Sequence, residues 1–360
     1  MSVQEIVDDV RLRGELAVRE WALRFDGAEP ELVTDSYKPL FDRTKRLEQA
    51  AERALVTDSY KLGSELEDAV LTLADRVRRW HAVQRPADVR LEVEPGVELE
   101  RRWVPLDSVG VYVPRGLVST LVMCAVPAQV AGVRRIVVTT PPAGAPLVAA
   151  VARLLGIEEV WALGGPQAIA WLAYVQRVDK IVGPGNAYVN EAKLAVARDV
   201  AIDLPAGPSE VVVIAGNGAD ARIAQLELAA QAEHGPDAVC RVIDANGDLE
   251  AALSEAERAA PEHLVLLGEA EALAPRIRNA GAVFVGSSSP VAAGDYATGG
   301  NHVLPTGGWA RAVGGLGLET FLKPVTVQRL TPEGLARVRP VVEALAAAEG
   351  MTAHAAAVQR

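Results

Sequence analysis

The sequence predicts an α/β fold built on parallel sheets. From residue 97 onward, short β-branched runs alternate with Ala/Leu-rich stretches of helical length. Glycine and proline close several of the runs, as in Leu163-Gly164-Gly165-Pro166-Gln167 and Val182-Gly183-Pro184-Gly185-Asn186. The chain has 360 residues, 50% of them hydrophobic, which is enough for two domains with sizeable cores.

In chain order, residues 3–24 carry Val3, Ile6, Val10, Ala17 and Trp21 at helical spacing and end at Phe25-Asp26-Gly27. Residues 39–89 read as two helices of mixed charge, the second reaching Trp80 and His81. His81 stands beside Arg78 and Arg79 and is expected in solvent. The heptapeptide Leu-Val-Thr-Asp-Ser-Tyr-Lys occurs twice, at 32–38 and 55–61. One short unit cannot stack into a solenoid, so it reads as a local duplication with no function attached. The expected strands are 109–113, 135–139, 159–163, 180–182, 210–214, 239–243, 264–267, 282–285 and 324–327. Strands separated by single helices imply right-handed βαβ units. They fall into two groups split near Leu204-Pro205-Ala206-Gly207-Pro208, suggesting two Rossmann-like domains. A last helix over 333–348 leads to His354.

Thirty-six basic against 47 acidic side chains leave a net charge of −11, which argues against non-specific binding to nucleic acid or anionic membranes. The two cysteines, Cys124 and Cys240, sit in apolar runs without CxxC spacing and are expected to be buried thiols in a reducing compartment. The N-terminus has no signal-peptide pattern. The uncharged run 116–133 has the length of a membrane span. It also contains Ser119, Thr120, Pro127, Gln129 and Gly132 and is closely flanked by strands, so a buried helix is expected. A soluble, cytoplasmic protein follows as the expectation.

The polar residues concentrate in loop-edge contexts. An apolar helix runs into Gln231-Ala232-Glu233-His234-Gly235-Pro236. Spacing of three puts Gln231 and His234 on one side of the helix, and Gly-Pro stops it. His263 follows Pro261-Glu262 at a strand mouth. His302 lies in Gly294-Asp295-Tyr296-Ala297-Thr298-Gly299-Gly300-Asn301-His302, and His354 in Glu349-Gly350-Met351-Thr352-Ala353-His354. Gln231, His234, Asp295 and His354 could supply four zinc donors, although spacing alone does not bring them together. Adjacent strand residues face opposite ways, so Glu262 and His263 can share a site only at an irregular strand end, which Pro261 provides. A carboxylate and an imidazole there suit acid–base work near neutral pH. The glycine turns could bring N–H groups to a phosphate or be simple strand-to-helix turns, and no GxGxxG fingerprint is present.

These stretches, with Val111-Tyr112-Val113-Pro114, Val178-Asp179-Lys180-Ile181 before Val182, Ala206-Gly207-Pro208-Ser209-Glu210 and Asn301-His302-Val303-Leu304-Pro305-Thr306, make the chain resemble the L-histidinol dehydrogenase family. The N-terminal quarter matches mainly through Arg24-Phe25-Asp26-Gly27. The resemblance implies two aldehyde-dehydrogenase-like domains with a helical N-terminal part and a C-terminal extension. Residues 1–111 with 209–316 would form the substrate and zinc side, 112–208 the NAD side, and 317–360 a tail crossing to the partner in a homodimer.

It further implies that Gln231, His234, Asp295 and His354 bind one Zn2+ and that Glu262 and His263 are the acid–base pair. Ser209 and Glu349 would contact substrate with His302 close by, and Tyr112, Gln167 and Asn186 would line the NAD site. The reaction would carry L-histidinol through the aldehyde to L-histidine with two NAD. Relative to the family the chain starts later and is trimmed around 115–123, 174–178 and 247–260, which bears on cofactor geometry. Two other readings use the same residues: an NAD- and zinc-dependent alcohol-to-acid dehydrogenase with a non-imidazole substrate, and a zinc hydrolase in which Glu262 activates water. A catalytically silent paralogue is disfavoured, because every expected catalytic and ligand side chain is present.

Overall fold

A computed structural model describes residues 2–33, 62–204 and 207–359. The repeated heptapeptide and the first of the two helices expected over 39–89 lie almost wholly outside the described residues. The chain divides into two units, one of residues 1–84 with 106–321, the other of residues 85–105 with 322–360.

The larger unit holds two sheets. In the first, the strands Ser108–Tyr112 (β1), Arg135–Thr140 (β2), Glu159–Ala162 (β3), Lys180–Val182 (β4) and Ala201–Ile202 (β5) are parallel, in the spatial order β3-β2-β1-β4-β5. The two-residue strand Glu31–Leu32 adds antiparallel to the outer edge of β3. The order reverses direction between β1 and β4, so a crevice opens there at the carboxyl ends of the strands. The helix Val118–Ala131, which leaves the end of β1, is buried over most of its length, as an uncharged run between strands should be. No helix among the described residues is long and apolar enough to cross a membrane.

The second sheet is parallel throughout, with Glu210–Ala215 (β6), Val239–Asp244 (β7), His263–Leu267 (β8) and Ala282–Val285 (β9) in the order β7-β6-β8-β9. Cys124 is buried as expected, but Cys240 is exposed. Its strand β7 is the sheet edge, with Val239 and Val242 44% and 43% exposed, so an apolar run there does not imply a covered face.

The N-terminal stretch is two helices, Val3–Arg13 and Glu15–Phe25, because Gly14 adopts φ 60° between them. Their apolar faces (Val3, Val7, Val10, Ala17, Val18, Ala22) join the core of the first sheet with Ile169, Leu172 and Val189. This differs from the expected grouping of residues 1–111 with 209–316, which would also cut β1 at its end. The helix Ser64–Ala82 buries Val70, Leu73, Ala74, Val77 and His81 along one face. The solvated reading of His81 is therefore wrong: the ring is 0% exposed, and Nδ1 bonds the Val77 carbonyl at 2.8 Å. Helical periodicity turns Arg78 and Arg79 outward and His81 inward.

In the smaller unit, Val89–Glu94 (β10), Val97–Pro105 (β11) and Leu322–Leu330 (β12) form an antiparallel sheet in the order β12-β11-β10. The strand expected at 324–327 is therefore longer than read and antiparallel, not part of a βαβ unit. Gly96, at φ 81°, turns β10 into β11 where a Cβ would lie 2.5 Å from Thr331 Oγ1 at the start of the helix Pro332–Ala348. The short helix Thr352–Ala357 carries His354, and Glu349 caps the long helix; both side chains are exposed.

Candidate active site

The polar residues of the second sheet meet at the amino ends of its strands. Ser209 directly precedes β6, which Glu210 opens, and Glu262 directly precedes β8, whose first residue is His263. Helices run antiparallel to the parallel strands they connect, so their carboxyl ends reach the same edge. The helix Ala221–Ala232 delivers Gln231 and, just past its end, His234. The helix Val291–Tyr296 delivers Asp295. Helix carboxyl termini present partial negative charge, which suits a cation.

One chain of hydrogen bonds orders this edge. The Ser209 hydroxyl donates to Glu262 Oε2 at 2.6 Å, and the Glu210 amide donates to the same oxygen at 2.8 Å. With its proton spent on the carboxylate, Ser209 Oγ accepts from Gln231 Nε2 at 2.6 Å. That bond turns the carboxamide so that its oxygen is the free end. His234 Nδ1 lies 3.2 Å from the Gln231 carbonyl, and donating there leaves the Nε2 lone pair free. His263 Nδ1 lies 2.9 Å from the Glu210 carbonyl. A carbonyl only accepts, so Nδ1 carries the proton and Nε2 the lone pair. Nε2 is buried without a hydrogen-bond partner, and its nearest ionic neighbour is Asp295 Oδ1 at 3.9 Å.

Burial sets the charges. Desolvation lifts Glu262 from its ordinary 4.5 to about 7, against the pull of Ser209, the Glu210 amide and His234. Burial lowers His263 below 6.5, with Asp295 opposing, so the imidazole is neutral at pH 7. Burial raises Asp295 above its ordinary value, with His263 and His234 opposing, and drives His302 down to about 4. Glu227 is raised by burial as well; its Oε2 accepts from the Val291 amide at 3.1 Å, fixing the start of the helix that carries Asp295.

The first sheet contributes its opposite edge. His302 Nδ1 bonds the Asp295 carbonyl at 3.1 Å, and Nε2 lies 3.4 Å from Thr120 Oγ1 in the first turn of the helix leaving β1. Asn301 Nδ2 donates to the Met123 carbonyl at 2.7 Å and lies 3.5 Å from His81 Nε2. The carboxyl ends of the first sheet therefore border the amino ends of the second.

Ser209, Gln231, His234, Glu262, His263, Asp295 and His302 are thus gathered along one edge. The donor set fits a zinc ion: a carboxamide oxygen, an imidazole nitrogen and a carboxylate, two of them oriented by bonds from their other ends. Among the described residues no group of three His, Cys, Asp or Glu is close enough to hold a metal. The expected cage depends on Gln231 and on His354, which belongs to the smaller unit.

Of the expected NAD contacts, all lie at the carboxyl ends of first-sheet strands, but only Asn186 is exposed. The Tyr112 hydroxyl accepts from the Gly165 amide at 3.3 Å. Gln167 is fully buried, and its Nε2 donates to Asp26 Oδ2 at 3.1 Å. These two side chains shape the glycine turn from beneath. Asp26, Thr120, Glu210, Glu227 and Asn301 were not singled out from the sequence. Glu227 had a legible signal, one turn before Gln231 on the same helix face.

The comparisons with known proteins agree along the whole chain. A family model described as histidinol dehydrogenase matches residues 1–255 and 241–360. The histidinol dehydrogenase of Vibrio parahaemolyticus is 39% identical, the match covering 99% of this chain and 90% of that protein. The alignment runs over 404 positions, more than the 360 residues here, so gaps fall within this chain. The crystal structure of histidinol dehydrogenase from Elizabethkingia anophelis superposes with a TM-score of 0.83 at 32% identity, covering 99% of this chain and 90% of that one. A probable aldehyde dehydrogenase from Listeria monocytogenes, with a TM-score of 0.50 at 11% identity and 92% coverage of each chain, shares the fold alone.

Proposed function

The chain belongs to the histidinol dehydrogenase family, and on that premise we propose that it oxidises L-histidinol through L-histidinaldehyde to L-histidine, with zinc and two NAD. The observation that carries the mechanism is the setting of His263: Nδ1 donates to a carbonyl, and Nε2 is buried and unpartnered, where burial favours the neutral ring. Such a nitrogen is prepared to take the hydroxyl proton as hydride leaves the carbinol carbon.

The second oxidation requires water to add to the aldehyde carbon. Glu262, whose value of about 7 lets it exchange a proton at neutral pH, takes the proton of that water. Protonated by the first oxidation, His263 returns that proton to the aldehyde oxygen as the water adds, and, neutral again, serves the resulting gem-diol as it served the alcohol. Ser209 and the Glu210 amide hold the carboxylate in place through both steps.

Gln231, His234 and Asp295, with His354 from the partner's tail, would hold the zinc. When bound, it supplies positive charge that anchors the substrate's imidazole and amine, which is mainly a positioning role. Ser209 and Glu349 would contact substrate, with His302 close by. The exposed apolar pair Val89 and Leu91 on one face of β10 (56% and 59% exposed) supports a homodimer through the smaller unit. Asn186 with the two glycine turns would carry NAD at the β1/β4 switch point. The exposed Cys240 and buried Cys124, neither in a disulfide, accord with a reducing cytoplasm.

Zinc-loaded protein should reduce NAD with L-histidinol and leave amino alcohols lacking imidazole untouched. Reduction with those alcohols and none with histidinol would move the assignment to a non-imidazole substrate. Turnover without any nicotinamide would point to a hydrolase.

A further inference from the structure

An ion pair outside the catalytic cluster lies beneath the glycine turn that ends β4. Lys193, on the helix Ala187–Val196, and Asp203, just after β5, pair with side chains 2% and 1% exposed. Each also bonds to the turn. Lys193 Nζ donates to the Gly183 carbonyl at 3.0 Å, and Asp203 Oδ2 accepts from the Gly183 amide at 2.7 Å. Asp203 Oδ1 also takes the Leu204 amide at 2.7 Å.

Both backbone groups of Gly183 are therefore held by opposite charges. This residue sits at φ 110°, and a Cβ on it would lie 2.2 Å from the Tyr112 carbonyl at the end of β1. The turn is locked against the neighbouring strand at the switch point of the sheet. Beyond it, Asn190 Nδ2 holds the Gly185 carbonyl at 2.9 Å, again from the helix side. The side left open carries the exposed Asn186. A buried ion pair adds little net stability over apolar residues of similar volume, so its use here is better explained by orientation than by strength.

We propose that Lys193 and Asp203 are positioning residues that fix the 183–186 turn to receive the dinucleotide. This rests on the NAD reading of that edge. Lys193 and Asp203 touch no reacting atom; they act through Gly183.

The test compares the parent zinc-loaded protein with Lys193→Met/Asp203→Asn, which removes both charges together and leaves neither unpaired. Asp203→Asn alone is the second variant should the double one fail to fold. Amide exchange of the 183–186 turn, without NAD, reads the clamp; titration with NAD reads the consequence. Faster exchange at 183–186 with unchanged zinc content is expected. NAD Kd should rise about tenfold or more, the scale on which lost supporting bonds weaken a site. KM for NAD should rise while kcat at saturating NAD stays near the parent's. Unchanged exchange in a folded variant overturns the clamp. Faster exchange with unchanged NAD Kd overturns its link to the cofactor. A parent that binds no NAD overturns the cofactor reading itself, whatever the exchange data show.

Discussion

Glu262→Gln separates the electrostatics of the site from its catalysis. The carboxyl is buried, and its value stands at about 7 in the folded chain against an ordinary 4.5. Because the folded value is the higher one, the native state keeps a proton that the unfolded chain has released. The stabilising contribution is complete below pH 4.5 and is lost as pH rises to about 7, beyond which it no longer changes. At about 1.4 kcal/mol per pH unit the full loss is on the order of 3 kcal/mol. A glutamine does not ionise, and its carbonyl can accept from Ser209 and the Glu210 amide as the acid does. The variant should therefore gain about 2–3 kcal/mol on the parent between pH 5 and pH 8. Urea unfolding of both proteins, zinc removed, at unit intervals over that range gives the comparison. Parallel stability curves would refute the raised value and, with it, the use of Glu262 as an acid–base group at neutral pH.

In catalysis, Glu262→Gln should spare aldehyde formation relative to aldehyde oxidation, and equal loss of both in single-turnover assays would contradict the division of roles. His263→Asn should remove the first oxidation, lowering the rate by about 10²–10⁴-fold with zinc retained; near-parental NADH formation would dismiss Nε2 as the base. Ser209→Ala frees the Gln231 carboxamide to rotate, and zinc affinity by competitive chelator titration should fall about 10–100-fold; unchanged affinity would separate Ser209 from the metal. In single-turnover pH profiles, the first oxidation should depend on a group titrating below 6.5, since burial lowers His263. The second should rise with pH through about 7, since Glu262 must be ionised to take a proton. Coincident profiles would oppose this assignment.

The parallel strands other than the two-residue β5 were legible because each is a short apolar run with glycine or proline close by, and their bounds agree within a residue or two. The antiparallel sheet was not. Val89–Glu94 alternates apolar and charged residues with both faces exposed, and Pro95-Gly96 was its only turn signal. Gly14 broke a helix whose apolar spacing continues on both sides. Cys240 and His81 failed in opposite directions for one reason: local composition does not report which neighbour covers a face. Cys240 lies on an uncovered edge, and His81 lies under the loop that carries Asn301. Within the site, side-chain types and the strand-end irregularity at Pro261 pointed to Glu262 and His263. The supporting bonds through Ser209 and Glu210 depend on strands β6 and β8 pairing, which no local pattern encodes.

The central claim is that one carboxylate–imidazole couple carries an alcohol through two successive oxidations. The most direct measurement is the amount of NADH formed per L-histidinol consumed by zinc-loaded protein with NAD in excess. The account predicts two, with no aldehyde accumulating in solution. One NADH per histidinol with free aldehyde released, or none at all, would contradict it.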